Sequence, residues 1–342
     1  MADLAWLRLV DANVNRALEG IRVMEDIARF VLCDEVSART LKLVRHAFGQ
    51  VGRGAALAIS RKSTWDVGRR VTTQTELKRA SWADILAANA KRVGESARVL
   101  EEAVKLDDPG LAKKIKEARY QLYDVEAELA RKLSIRNKLD FDLYVVTNRE
   151  AQKGRGHVEV VREAIRGGAK CVQLRDKLAP MGQYYRDAKS IAAMCKRHGV
   201  TFIVNDYIDI CRAVDADGVH LGQEDMPVHV ARKILGPDKI LGYSTHNEKE
   251  AKAAERGGAD YVSVGPIFVT PSKEGWKPRT PRFIRWAARN LKIPFVAIGG
   301  IDSYNVKQVV RAGAKRVAVI RAAVGAENIA KATRELRRRI NK

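Results

Sequence analysis

Eight short apolar runs, spaced along residues 139–342, restrict this chain more than any other feature. They are DLYVVTN (142–148), CVQLRDK (171–177), TFIVND (201–206), GVHLGQ (218–223), LGYSTH (241–246), YVSVGPI (261–267), FVAIGGI (295–301) and RVAVIRA (316–322). Runs of this length, rich in Val, Ile and aromatics, read as strands. Their apolar character is continuous rather than alternating, which suits parallel strands buried on both faces. Most intervening segments, such as VEVVREAIRGG and VKQVVRAGA, carry helical spacing. The ADADG connection between the third and fourth runs leaves room only for a brief turn or helix. Eight β/α units in roughly 200 residues predict an α/β fold, a compact TIM (β/α)8 barrel. A doubly wound sheet is the alternative arrangement.

The first half follows a different period. DANVNRALEGIRVMEDIARFVL, VSARTLKLVRHAFGQVGRGAALAI, ELKRASWADILAANAKRVGESARVLEEAVKL and GLAKKIKEARYQLYDVEAELARKL place apolar residues at i, i+3, i+4 and i+7. Breaks fall at STWDVG (63–68) and LDDPG (106–110). The expectation is an all-α helical bundle over 1–125, a helical linker over 126–138 and the barrel over 139–342.

The helical half also repeats itself. NVNRALEGIRVMEDIAR (13–29) aligns with NAKRVGESARVLEEAVK (89–105), and each copy carries N-x-x-R-x-x-E-x-x-R-x-x-E. Residues three apart are neighbours on a helix, but the stripe they form drifts around it. One reading is a pair of solvated, salt-bridged faces. The repetition of one ordered set favours a pseudo-symmetric bundle that brings Asn, Arg and Glu to one polar cleft. Arginines there suit phosphate, because the guanidinium fork offers paired donors.

Composition narrows the partners. Lys and Arg number 63 against 41 Asp and Glu, a formal charge of +22, which favours anionic partners. The basic residues are spread along the chain and aromatics make up only 6%, whereas nucleic-acid binders cluster the two. Nucleic acid is therefore the less favoured partner and small phosphorylated molecules the more favoured. The dense basic tail RELRRRINK reads most simply as a solvated helix end. The longest apolar runs fall short of a membrane span, and the N-terminus lacks the pattern of a secretory signal. A cytoplasmic enzyme is expected, and self-association into a homo-oligomer stays open. Cys33, Cys171, Cys195 and Cys211 form no CxxC and read as buried free thiols.

A TIM barrel places its chemistry at the C-terminal ends of its strands. The second run ends in Gln173, Arg175 and Lys177, alternating with Leu174 and Asp176, so the first three share a face. An amide and two cations suit a phosphorylated substrate with a polar ring. The third run ends in Asn205 and Asp206, and Asp225 follows the fourth. Each carboxylate alone reads as a helix cap or surface group. Together, and beside Arg175 and Lys177, Asp206 and Asp225 suit one Mg²⁺, which takes one or two carboxylates plus phosphate oxygens. Ser244 and His246 end the fifth run. In the loop after the sixth, Thr270, Ser272 and Lys273 either cradle a phosphate or form a plain turn. Gly299, Gly300, Val319, Ile320 and Arg321 lie where this fold usually binds phosphate on backbone amides.

QLRDK, IVNDY, HLGQED, YST, VGPIFVTPSK and VAIGGI, in this order, resemble the thiamine-phosphate synthase family over about 142–325. The resemblance implies condensation of hydroxymethylpyrimidine diphosphate with hydroxyethylthiazole phosphate, releasing pyrophosphate. It implies that Gln173, Leu174, Arg175, Asp176, Lys177, Asn205, Ser244 and Lys273 hold the pyrimidine diphosphate. Arg175, Lys177, Ser244 and Lys273 would be the catalytic set. Thr270, Pro271, Ser272, Gly300, Val319 and Ile320 would hold the thiazole phosphate, and Asp206 and Asp225 would bind Mg²⁺. The implied mechanism is dissociative: pyrophosphate leaves, a pyrimidine methylene cation forms, and the thiazole nitrogen captures it. Two positions depart from the family pattern, Ser272 for a usual threonine and Arg321 for a frequent serine.

NVNRALEGIRVMEDIARF, with the later WDVG and RVLEE, resembles the helical domain that precedes some thiamine-phosphate synthases. That family is assigned hydroxymethylpyrimidine-phosphate kinase activity, which would bring ATP as a second cofactor. The chain has no GxxxxGK[ST] loop. Its cleft candidates are Arg16, Glu19, Arg22, Glu25, Asp66, Arg92, Glu95 and Arg98. Two other functions compete: a thiazole tautomerase, which would need neither diphosphate nor Mg²⁺, and a basic nucleic-acid-binding protein.

Overall fold

The computed structural model describes residues 4–51, 79–271 and 278–341. The chain divides into two compact units, Met1–Ser134 and Ile135–Lys342.

The first unit is helical among its described residues: α1 (Leu4–Asp26), α2 (Glu35–Val51), α3 (Trp82–Val104) and α4 (Pro109–Lys138). α1 ends in a π-helical turn, Ile27–Val31. The segment 126–138, expected as a helical linker, is helical and is the unbroken end of α4, and the boundary between units falls at Ser134–Ile135. Val10, Val14, Ala17, Ile21 and Met24 of α1 recur at helical spacing and are buried against Leu86, Val93, Ala97 and Leu100 of α3. The two helices run antiparallel, since the Trp6 indole donates to the Ala103 carbonyl while Gly20 faces Asn89 and Val93. A Cβ on Gly20 would stand 2.5 Å from Val93 Cγ2, so glycine there permits the close approach.

The repeat is structural as well as sequential. Asn13 and Asn89 each donate to the carbonyl four residues back, at 2.9 and 2.8 Å. Glu25 and Glu101 are both buried, and each receives an arginine from the following helix: Arg45 at 3.0 Å and Arg119 at 3.0 Å. Lone buried carboxylates would cost more than a domain's net stability can spare, so these partners are required. The unit thus repeats one hairpin, α1–α2 and α3–α4.

The second unit is a closed barrel of eight parallel strands in sequential order. They are β1 (Leu143–Val146), β2 (Cys171–Leu174), β3 (Thr201–Asn205), β4 (Gly218–Leu221), β5 (Ile240–Thr245), β6 (Tyr261–Val264), β7 (Phe295–Ile298) and β8 (Val317–Val319). The barrel helices are α5 (His157–Arg166), α6 (Met181–His198), α7 (Ile208–Ala213), α8 (Val228–Leu235), α9 (Glu248–Gly257), α10 (Thr280–Asn290), α11 (Val306–Arg311), α12 (Arg321–Val324) and α13 (Ile329–Ile340). The short third-to-fourth connection holds the six-residue α7. Every expected run contains a strand, but the strands stop earlier. Arg175–Lys177, Pro266–Ile267 and Gly299–Ile301 lie beyond the ladder, where they build the rim.

Alternation along each strand separates two cores. Leu143, Val145, Val172, Leu174, Val204 and Val219 face the helices. Tyr144, Cys171, Ile203, Ile240, Tyr261, Val296 and Ala318 fill the interior, with Leu139 and Phe141 in the same cluster. Above this apolar floor the inward positions turn polar, and that change makes the site. Cys171, Cys195 and Cys211 are buried free thiols as expected; Cys33 is exposed, because it follows the end of the π-helical turn.

Candidate active site

A cavity of about 480 Å³ opens at the C-terminal ends of the strands. Its inward wall carries Gln173, Asn205, His220, Ser244 and Ser263, one polar side chain from each of β2 to β6. Arg175 joins them from the loop after β2. The opposite wall is Thr270, Pro271, Gly299, Gly300, Val319, Ile320 and Arg321. Gly299 and Gly300 have φ of 104° and 62°, and Cβ atoms there would stand 2.5 Å from Pro266 Cα and the Val269 carbonyl oxygen. Only glycine fits this turn, and it leaves the backbone bare toward the cavity.

One hydrogen-bonded chain crosses the barrel interior beneath the cavity. Gln173 Nε2 donates to the Tyr144 hydroxyl at 2.8 Å. The Tyr144 and Tyr261 hydroxyls lie 3.2 Å apart, and Tyr261 lies 2.9 Å from His220 Nδ1. His220 Nε2 lies 2.9 Å from Ser244 Oγ. Burial holds both tyrosines well above their ordinary pKa, so both keep their protons. The Tyr144 oxygen accepts from Gln173, so its proton goes to Tyr261, and the Tyr261 proton goes to His220 Nδ1. The His220 tautomer that accepts at Nδ1 donates Nε2–H to Ser244 Oγ, which directs the serine hydroxyl proton away from the histidine. The same logic leaves Gln173 Oε1 as an acceptor. His220, Tyr144 and Tyr261 were not among the expected site residues. An aromatic or His within a strand run reads as core, and only the inward register of β1, β4 and β6 marks them.

Beside the cavity, Lys177 Nζ lies 3.7 Å from Asp206 Oδ2. Burial, then the neighbouring Asp225 carboxylate, pushes the Asp206 carboxyl up to about 6, against the pull of Lys177 and Arg175. Asp206 sits at φ 65°, a left-handed conformation that Asp tolerates, and its N–H donates to the His220 carbonyl. Asp225 Oδ2 accepts from the Gly222 N–H at 2.6 Å. Among the described residues there is no cluster of three or more His, Cys, Asp or Glu that would form an all-protein metal cage. Two abutting carboxylates that repel one another fit a hard cation that takes its remaining ligands from substrate and water.

Two expected contacts are corrected. Leu174 faces outward into the core between strands and helices. Asp176 is also turned away from the cavity: Oδ2 accepts from Arg149 Nε and lies near His157 Nε2, both at 2.8 Å, while Oδ1 accepts from the Leu178 and Ala179 N–H groups. The inside–outside alternation that aims Gln173 inward sends both to the far side. Ser272, Lys273 and Asp66 lie outside the described residues.

In the helical unit, Asn13, Arg16 and Glu19 of α1 and Arg92, Glu95 and Ser96 of α3 line a second cavity of about 420 Å³. Arg22, Glu25 and Arg98 do not line it. Arg22 pairs with Glu25, and Arg98 pairs with Glu101 at 3.0 Å. Each three-residue step turns the stripe by about 60°, so the later members of each repeat leave the cleft.

A closed β/α barrel with a polar cavity at the C-terminal ends of its strands defines a TIM-barrel enzyme. Residues 143–323 match the family model described as thiamine monophosphate synthase, and residues 8–128 match the ThiD2 family. The thiamine-phosphate synthase of Synechocystis sp. is 40% identical, over 97% of this chain and 95% of that one. That of Nostoc punctiforme is 39% identical, over 98% and 94%. A solved structure, thiamine phosphate pyrophosphorylase from Pyrococcus furiosus, is 42% identical with a TM-score of 0.56, covering 60% of this chain and 98% of that one. The chain belongs to the thiamine-phosphate synthase family, whose members are transferases.

Proposed function

We propose that the barrel couples hydroxymethylpyrimidine diphosphate to hydroxyethylthiazole phosphate, giving thiamine phosphate and pyrophosphate. The observation that carries this is one cavity with two anion-receptive walls, Arg175 and Ser244 on one side and Thr270, Gly300, Ile320 and Arg321 on the other. Gln173 Oε1 and Asn205 face the pyrimidine. Arg175, Lys177 and the Ser244 hydroxyl hold the diphosphate, and the family resemblance assigns Lys273 to the same group and Ser272 to the thiazole phosphate. Thr270, Pro271, Gly300, Val319 and Ile320 hold the thiazole phosphate, with Arg321 as a further cation. Asp206 and Asp225 would hold Mg²⁺, which neutralises charge on a diphosphate leaving group.

The methylene C–O bond breaks and its electron pair leaves with pyrophosphate. The thiazole nitrogen lone pair then forms the new C–N bond. Arg175 and Lys177 favour the first step because charge grows on the oxygens they face. The cavity holds the thiazole in place, so capture needs no second encounter. No side-chain nucleophile is required, and burial pushes Cys195 and Cys211 up to about 12, out of thiolate range.

We propose further that the helical unit phosphorylates hydroxymethylpyrimidine phosphate with ATP, supplying the barrel's substrate in the cytoplasm. A two-tube assay on the whole chain tests both readings. One tube holds pyrimidine monophosphate, ATP, Mg²⁺ and thiazole phosphate; the other holds the pyrimidine diphosphate without ATP. Thiamine phosphate in both supports both activities. Product from the diphosphate alone removes the kinase reading. Product in neither, with thiazole isomerisation instead, replaces the synthase with a tautomerase.

A further inference from the structure

We propose that the cleft between α1 and α3 is the phosphate-binding site of the helical unit, with Arg16 and Arg92 as its anion-holding side chains. This rests on the kinase reading of that unit. Antiparallel packing of a repeated helix creates a local pseudo-dyad. Arg16 and Arg92 are equivalent in the repeat, and both line one cavity of about 420 Å³.

Their electrostatic state separates them from the other repeat arginines. Arg22 and Arg98 are committed to the buried carboxylates Glu25 and Glu101. Among the described residues, neither Arg16 nor Arg92 forms an ion pair. Among the described residues the carboxylates that share the cleft are not ion-paired to these arginines: Glu19 forms no ion pair, and Glu95 lies 3.9 Å from Lys91. Asn13 and Ser96 are buried in the cavity wall and supply neutral polar groups.

Two guanidinium forks lining one space, neither of them ion-paired to the Glu19 or Glu95 carboxylate that shares it, match an anion of at least two charges that accepts paired hydrogen bonds. A phosphate ester has that charge and geometry, whereas a single carboxylate engages one fork only. The unit's two substrates both carry phosphate, so two related arginines allow one fork for each.

The test uses the full chain with Arg175→Ala and Lys177→Ala, which weaken anion binding in the barrel. Calorimetric titrations use hydroxymethylpyrimidine phosphate in one arm and β,γ-imido-ATP with Mg²⁺ in the other. Binding in either arm should weaken about tenfold or more with Arg16→Gln or Arg92→Gln. The arms identify which phosphate each arginine holds. Arg8→Gln removes the same charge from α1 outside the cleft and should leave binding unchanged. Equal losses in Arg8→Gln and Arg16→Gln would reduce the effect to general charge attraction and overturn the proposal. Far-ultraviolet circular dichroism and thermal unfolding of the Arg16→Gln and Arg92→Gln chains report whether the helical unit stays folded. A kinase unaffected by both substitutions overturns this site and leaves the kinase reading standing. Arginine-dependent binding without phosphoryl transfer overturns the kinase reading and leaves the site.

Discussion

Gln173 gives its side-chain N–H to Tyr144 at 2.8 Å, and that bond decides which end of the amide faces the cavity. The Tyr144 hydroxyl is held in turn by Tyr261. Tyr144→Phe removes the acceptor and lets the Gln173 amide rotate. One lost hydrogen bond of about 1 kcal/mol predicts a rise of roughly fivefold in KM for the pyrimidine diphosphate. KM for the thiazole phosphate should hold. Steady-state kinetics with each substrate varied in turn would check this.

Lys177 is mostly exposed and lies 3.7 Å from Asp206, so its loss should not disturb folding. Lys177→Ala should lower kcat by about a hundredfold, because the cation acts on charge that grows as the diphosphate leaves. Thermal unfolding should match that of the natural chain.

Asp206 gives opposite signs for stability and activity. Its carboxyl stands at about 6 because it is buried against Asp225, so ionising it costs stability as the pH rises above the ordinary carboxylate range. Asp206→Asn removes that cost and should keep or raise the unfolding temperature at neutral pH. The Mg²⁺ concentration for half-maximal activity should rise about tenfold or more. A chelator should abolish the natural enzyme's coupling activity.

Much of the fold is legible because its signals are local. Each apolar run holds a strand, and the change of period marks where the helical half gives way to the barrel. Gln173, Arg175 and Asn205 were legible because alternation at a strand end is a property of neighbours. Leu174 and Asp176 entered only through the family resemblance, and the same alternation turns their side chains the other way. His220, Tyr144 and Tyr261 were missed because their partners come from β1, β2, β4, β5 and β6. Only closure of the barrel brings them together. In the helical half the repeat revealed Arg16 and Arg92 as equivalent, but which repeat members pair with buried carboxylates depends on α2 and α4.

Asp176 gives a pH signature apart from catalysis. Although burial opposes it, hydrogen bonds from Arg149 and His157 hold its carboxyl at about 2, against an ordinary 3.8. A depressed carboxylate contributes stability above the unfolded value and loses it as the pH falls through the folded one. The contribution is about 2 kcal/mol at neutral pH. The stability difference between the natural chain and Asp176→Asn should be full above pH 4 and shrink toward pH 2. Denaturant titrations across that range would read it.

The most direct measurement supplies the whole chain with pyrimidine diphosphate, thiazole phosphate and Mg²⁺, and follows both products together. The account predicts thiamine phosphate and pyrophosphate in equal amounts, with both lost in Arg175→Ala, Lys177→Ala protein that remains folded. Pyrophosphate-free conversion of the thiazole, or undiminished coupling in the double variant, would contradict it.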